Sequence, residues 1–282
     1  MKIIDGRKIA QKIKQYIREE VKRLDTSPSL HVISVGKDKI SEIFLSEKEK
    51  ACLEVGISFY CHRFSARAKA EEIIKLINRL NSDPGVTGIL IQLPLPPQLG
   101  EGATLLDQIS SKKDVDCLTS LNFGRFALGI PLFLPPLVQA VEEILQGEKI
   151  KGKKITVVGA GRIAGLPISI FFLQKGATVT ICQEFTQNLK EQTRKADILV
   201  SATGQPKLIN GSMVKKGAIV IDVGTSWRGE KIVGDVDRKS VEKKAKLITP
   251  VPGGIGPLTV AFLLKNTVRA ATIAKRKKKG YN

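Results

Sequence analysis

Residues 155–165 read Ile-Thr-Val-Val-Gly-Ala-Gly-Arg-Ile-Ala-Gly; a helical run follows, then Ala-Thr-Val-Thr-Ile-Cys and Gln-Glu to residue 184. The order is apolar strand, glycine turn, helix, second apolar strand and acid. Each part has a task in a dinucleotide-binding βαβ unit. Gly159 makes the tight turn, Gly161 lets backbone approach a pyrophosphate, and Gly165 permits close helix–strand packing. The first helical amides, with the positive end of the helix dipole, face the phosphates; Arg162 and Ile163 lie in this start. A glycine triplet alone serves equally well as a plain turn. The strands on both sides and Glu184 at the end of the second favour the dinucleotide.

The rest of the chain alternates in the same way. Ile9, Ile13, Ile17, Val21 and Leu24 recur at helical spacing, so residues 6–24 form an amphipathic helix. Residues 30–35 form a short apolar strand, 41–54 a helix, 58–64 a strand, 68–80 a helix and 86–91 a buried strand. After the prolines at 131–136, a connecting helix is expected at 135–145. Strands follow at 155–158, 178–182, 198–202, 218–223 and 247–251, with a last helix at 258–274. Such alternation predicts an α/β fold of two lobes, each a mostly parallel sheet flanked by helices. The expected boundaries are 1–146 and 147–257, the second lobe being of Rossmann type, with helix 258–282 packing back on the first. Ligands of open α/β sheets sit beyond the carboxyl ends of strands, which makes Gln92, Gly159, Thr203, Gly204 and Gly224 candidates. A cleft between the lobes is the expected meeting place of substrate and cofactor.

Composition narrows the class. With 282 residues and 42% hydrophobic content, the chain is an ordinary globular protein of one large or two medium domains. No apolar run reaches the ~20 residues of a membrane span, and the N-terminus has no signal-like apolar core, so a cytoplasmic location is expected. Cys52, Cys61, Cys117 and Cys182 are scattered, and His31 and His62 do not stand at ligand spacing, so neither disulfide nor metal site is expected. The net charge of +19 includes the run from Lys275 to Lys279. With no interleaved aromatics, the run is read as a solvated tail rather than a nucleic-acid contact. A positive field also attracts anionic small substrates.

Several segments are too idiosyncratic for generic turns: Ile91-Gln-Leu-Pro-Leu-Pro96, Lys113-Asp-Val-Asp116 before Asn122 and Gly124, and Thr249-Pro-Val-Pro-Gly-Gly-Ile-Gly-Pro-Leu-Thr259. With Ile221-Asp-Val-Gly224 and Gly234-Asp-Val-Asp237, they resemble the methylenetetrahydrofolate dehydrogenase/methenyltetrahydrofolate cyclohydrolase family. The resemblance runs from Ile3-Ile-Asp-Gly-Arg to Asn266. It implies two α/β lobes around a folate cleft and homodimers formed through the cofactor lobes. It also implies hydride transfer from 5,10-methylene-tetrahydrofolate to a nicotinamide dinucleotide, and in many members hydrolysis to 10-formyl-tetrahydrofolate.

Residue by residue, the family's Ser-x-x-Tyr-x-x-x-Lys helix is matched by Ser41, Phe44 and Lys48, so the resemblance makes Lys48 the catalytic lysine. It puts Gln92 beside that lysine and assigns Asp116 to the pterin ring, whose adjacent N–H donors suit a carboxylate. Pro252, Gly253 and Gly254 would border the substrate. The chain also departs from the pattern. Phe44 lacks the tyrosine hydroxyl, so hydride transfer is expected to survive better than hydrolysis. Ala160 and Glu184 stand where the family carries groups for a 2′-phosphate, which leans the choice between NAD and NADP towards NAD; Arg162 leans the other way. Pro135-Pro-Leu-Val-Gln-Ala140 and Cys117 replace a family threonine segment and a family glycine. The alternatives left open are a dehydrogenase with impaired hydrolysis and a non-catalytic folate- or nucleotide-binding protein.

Overall fold

The computed structural model describes residues 1–37, 39–100, 102–229 and 231–278, without the side chains of Ile40 and of residues 276–278. Lys279 and most of the basic run's side chains therefore lie outside the described residues. The chain divides into two compact units, Met1–Ala10 with Leu137–Thr259, and Gln11–Pro136 with Val260–Asn282.

Helix α1 (Gly6–Lys22), which from Gln11 on belongs to the unit built on residues 11–136, leads there into β2 (Ser29–Val35), α2 (Lys39–Val55), β3 (Ser58–Phe64), α3 (Ala70–Ser82) and β4 (Gly88–Ile91). The strand before α1 is β1 (Lys2–Ile3). Strands β2, β3 and β4 form a parallel sheet in the order β3-β2-β4. The chain leaves β2 for one neighbour and returns on its other side, so the strand order reverses at the carboxyl end of β2. Beyond β4 come α4 (Ala103–Leu106) and α5 (Ser120–Ala127). Ile33, Ile73, Ile77 and Ile89 pack one core layer between the sheet and its helices. From the last helix, α10 (Ile255–Lys278), Asn266 donates to the carbonyls of Val115 and Leu134 at 2.8 and 2.9 Å.

The other unit begins with α6 (Pro136–Ile144), then β5 (Lys154–Val158), α7 (Gly165–Gln174), β6 (Thr178–Cys182), α8 (Leu189–Arg194), β7 (Ile198–Ser201) and β8 (Ile219–Asp222). A small antiparallel hairpin, β9 (Ser226–Arg228) and β10 (Lys231–Val233), precedes α9 (Arg238–Val241) and β11 (Leu247–Ile248). The main sheet runs β1-β11-β8-β7-β5-β6, all pairs parallel. Its order reverses at β5, the strand that ends in Gly159.

Two boundaries expected from the sequence need correction. The first ten residues belong to the second unit, because Lys2 and Ile3 pair with Leu247 and Ile248 and extend its sheet. A two-residue strand has no periodicity to read. The division also falls at 136/137 rather than 146/147, since α6, with Val138, Ala140 and Val141 fully buried, is part of the second unit's core.

Candidate active site

Helix α2 presents Ser41, Leu45, Lys48, Cys52 and Val55 at alternating spacings of four and three, the stripe a helix turns towards a core. Four of these five are buried, and Lys48 keeps only part of its surface exposed. A lysine inside an apolar stripe has lost most of its hydration and needs a compensating group. Gln92 supplies it: Lys48 Nζ donates to Gln92 Oε1 at 2.7 Å. The glutamine is held in turn, its Nε2 donating to the Leu93 carbonyl at 2.8 Å and its backbone N–H to Ile33 at 2.8 Å. Burial pushes the Lys48 pKa down, and the nearby Asp116 charge opposes that fall. Phe44, one turn before Lys48, is partly buried.

The two acids of Lys113-Asp-Val-Asp116 divide into different roles. Asp114 is buried and accepts from Leu118 N, Thr119 N, Thr119 Oγ1 and Asn122 Nδ2 at 2.7–3.1 Å. It fixes the turn into α5, whose first amides Thr119 caps. Asp116 accepts no hydrogen bond from the described residues, and part of its surface is open. Burial pushes its pKa up to about 6 against the pull of Lys48. Lys48 and Asp116 therefore sense each other without an ion-pair contact. The turn between Asp116 and Leu118 uses Cys117 at φ 60, a left-handed conformation that favours glycine. Its buried thiol lies 3.3 Å from the Phe133 carbonyl.

In the other unit the three turn glycines have separate physical requirements. Gly159 has φ +97, and a Cβ there would lie 2.3 Å from the Ala202 carbonyl oxygen. At Gly165 a Cβ would lie 1.7 Å from the Gly159 carbonyl oxygen, so helix and turn are in backbone contact. At Gly161 nothing lies within 4 Å, leaving that face open to a ligand. Arg162 and Ile163 follow, the latter 50% exposed. Beyond β6, Glu184 is exposed; Gly159 N donates to the Cys182 carbonyl at 2.8 Å, tying the glycine turn to the end of that strand. The open turn and the exposed acid fit an NAD(P) dinucleotide.

The loop beyond β7 is shaped by a carboxylate that the sequence did not bring forward as a site residue. Thr203 N and Oγ1 donate to Asp235 Oδ2 at 2.7 and 2.8 Å, and Ser201 Oγ donates to the same oxygen at 2.9 Å. The Thr203 hydroxyl is thus committed to Asp235, while Gly204, at φ +69, lies exposed beside it. Asp235 is fully buried, and its Oδ1 has no hydrogen-bond partner among the described residues. Asp222 accepts from the backbone N–H groups of Gly224, Asp235 and Val236, and burial pushes its pKa up to about 7 despite these donors. A Cβ on Gly224 would fall 1.9 Å from Asp235 Oδ1, so glycine there is needed for packing within the unit. The only early signal was an acid following apolar strand residues, in Ile-Asp-Val-Gly and Gly-Asp-Val-Asp.

Pro252, Gly253 and Gly254 belong to this second unit, apart from the unit of Lys48, Gln92 and Asp116. Pro252 is exposed, and Gly253 has φ +99. Gly6 N donates to the Gly253 carbonyl at 3.0 Å, and a Cβ on Gly254 would lie 2.4 Å from the Pro250 carbonyl oxygen. Both glycines thus answer local turn geometry. Among the described residues no group of three potential metal ligands occurs, all four cysteines are free, and no helix is long and apolar enough to cross a membrane.

Comparison with known proteins agrees with this arrangement. Residues 4–116 match the family described as tetrahydrofolate dehydrogenase/cyclohydrolase, catalytic domain, and residues 135–275 match its NAD(P)-binding domain. The bifunctional protein FolD of Moorella thermoacetica is 46% identical over 275 residues, 95% of this chain and 98% of that protein. The crystal structure of the bifunctional FolD enzyme from Campylobacter jejuni superposes with a TM-score of 0.92 at 39% identity, covering 97% of this chain and 99% of that one. The Trypanosoma brucei enzyme, complexed with NADP cofactor and inhibitor, gives 0.93 at 37% identity, covering 97% and 98%. The chain belongs to the tetrahydrofolate dehydrogenase/cyclohydrolase family.

Proposed function

We propose that this chain oxidises 5,10-methylene-tetrahydrofolate to the methenyl form and hydrolyses that cation to 10-formyl-tetrahydrofolate. The Lys48–Gln92 contact, set inside a buried stripe with an unpartnered carboxylate nearby, carries this reading. The folate role belongs to the unit of residues 11–136 and the dinucleotide role to that of residues 137–259. A bound nicotinamide supplies the hydride acceptor. Asp116, partly open and without a donor among the described residues, accepts the pterin N–H edge and orients the substrate. In hydrolysis, water forms a C–O bond to the methenyl carbon and passes a proton to Lys48 Nζ; the C–N5 bond then breaks as N5 takes up a proton and the new hydroxyl loses its own, leaving the formyl carbonyl. Burial serves this step, because only the neutral amine accepts a proton, and desolvation lowers the Lys48 pKa in that direction. Gln92 holds the nitrogen in place.

NAD is proposed as the preferred acceptor. Glu184 can accept hydrogen bonds from a free ribose diol and repels a 2′-phosphate, while Arg162 moderates that preference. Gly159, Gly161, Arg162, Ile163 and Gly165 cradle the pyrophosphate side, with Gly204 beside the nicotinamide half; Pro252 and Gly253 border the substrate. Steady-state kinetics with both dinucleotides test this: a lower Michaelis constant for NAD supports it, and a much lower one for NADP refutes it.

A homodimer is proposed through the edge strand β6, whose outer side is unpaired in the sheet. Ile181, Leu173 and Phe185 on and around it are 42%, 55% and 83% exposed, more apolar surface than a free edge usually shows. Ile181→Lys should shift the sedimentation of the protein from dimer to monomer; unchanged sedimentation would refute this seat.

A further inference from the structure

The Rossmann-type unit has a second concavity, at the end of its sheet opposite the glycine turn. A cavity of about 210 Å³ opens where β5, β7 and β8 begin, lined by Lys149, Lys153, Lys215, Lys216 and Lys246 together with Glu148 and Asp197. Five ammonium groups against two carboxylates leave the cavity strongly positive. The carboxylates are already engaged: Lys215 pairs with Asp197 at 2.7 Å and Lys246 with Glu148 at 2.6 Å. The Lys215 hydrogen bond holds the Asp197 carboxyl below the usual range, with the Lys154 N–H and the charges of Lys215 and Lys153 adding to it. Among the described residues, no carboxylate lies within ion-pair distance of Lys149, Lys153 or Lys216.

We propose that this cavity is an anion-binding site for a small polyphosphate group such as a pyrophosphate, separate from the dinucleotide site. Charge and size together carry the assignment. Like charges gathered around a concave, protein-walled volume focus the field more than the same charges scattered over a convex surface. Their mutual repulsion is relieved only by a multivalent counterion, because a monovalent one leaves most of the excess in place. At about 210 Å³ the cavity holds a compact anion; it falls below the ~300 Å³ at which sites for larger organic ligands begin. Lysine ammoniums bind phosphates as point charges on flexible stems, so the site selects charge density over shape. Its five ammoniums less two carboxylates give it a net +3, one share of the +19 carried by the whole chain.

The test uses the full chain saturated with dinucleotide, so that the glycine turn is occupied, and titrates inorganic pyrophosphate by calorimetry. Saturable binding is expected, weakening steeply with added salt because the lysines are exposed. Lys153→Glu with Lys216→Glu should weaken it at least tenfold. Lys12→Glu with Lys75→Glu, both exposed and elsewhere, changes net charge equally and should alter it less than twofold. Circular dichroism verifies that both variants are folded. An equal loss in the two variants would reduce the effect to overall charge. Absence of saturable binding, or binding seen only without dinucleotide, would also overturn the site.

Discussion

Lys48 donates to Gln92 Oε1 at 2.7 Å from within the buried stripe of α2, while among the described residues Asp116 acts on it by charge alone, without an ion pair. The contact satisfies one proton of the ammonium without adding a negative charge, so the amine remains easier to deprotonate than it would be in a salt bridge. Replacing Gln92 with Glu should therefore raise the Lys48 pKa and move the rise of the hydrolysis rate to higher pH. An unshifted pH–rate profile for Gln92→Glu would count against proton acceptance by Lys48.

Asp116 gives a second pH dependence, read in substrate binding. Its folded pKa of about 6 lies above the ordinary 3.8, so the protonated form is favoured by folding, and that stabilisation is lost as pH rises through 6. Substrate recognition needs the carboxylate. The folate Michaelis constant should then rise by roughly tenfold per unit as pH falls below about 6. Asp116→Asn should remove that dependence and bind weakly at every pH.

The missing hydroxyl at Phe44 makes a separate prediction. Phe44→Tyr should speed methenyl hydrolysis and leave hydride transfer within about twofold, since the latter depends chiefly on positioning. Stopped-flow absorbance at the methenyl band separates the two steps.

Cys117 occupies a left-handed backbone position at φ 60. A β-branched side chain is disfavoured there, so Cys117→Val should lose about 2 kcal/mol in urea unfolding. Cys117→Gly should fall within about 1 kcal/mol of the parent, because relief of strain offsets the lost burial of a small side chain and the added freedom of the unfolded chain.

Gly165→Ala would set a methyl 1.7 Å from the Gly159 carbonyl oxygen, a contact only a backbone shift can relieve. Dinucleotide affinity should fall at least tenfold, while Gly161→Ala, with nothing within 4 Å, should fold normally and lose affinity only through the ligand. Fluorescence titration with reduced dinucleotide and thermal unfolding distinguish the two.

The long elements were legible because their periodicity repeats: β3 at Ser58–Phe64 and β6 at Thr178–Cys182 fall where the apolar pattern put them. The helix α5 and the β9–β10 hairpin were not, since eight residues and two strands of three carry too few periods. Lys48 was legible through its motif; its place along the Ser41, Leu45, Cys52, Val55 stripe stands out only once burial is seen. The resemblance singled out Asp116, but the buried role of Asp114 was invisible, because its donors are set by the fold of the turn into α5. The Asp222–Asp235 arrangement was hidden for the same reason, as its donors come from residues up to 34 positions away. So was the meeting of the two histidines, His31 Nδ1 and His62 Nε2 at 3.0 Å, which follows only from the pairing of β2 with β3.

Lys48→Met keeps the length of the side chain and removes its proton acceptor and buried charge, so the protein should remain folded. The decisive measurement mixes this variant and the parent with methylene-tetrahydrofolate and NAD, following reduced nicotinamide and methenyl absorbance together. The parent should reduce the dinucleotide and consume the methenyl product faster than buffer does. The variant should still form reduced nicotinamide while methenyl accumulates, its hydrolysis slowed at least a hundredfold, within the range general base catalysis provides. Undiminished methenyl hydrolysis in Lys48→Met, or no nicotinamide reduction by the parent with NAD or NADP, would contradict the account.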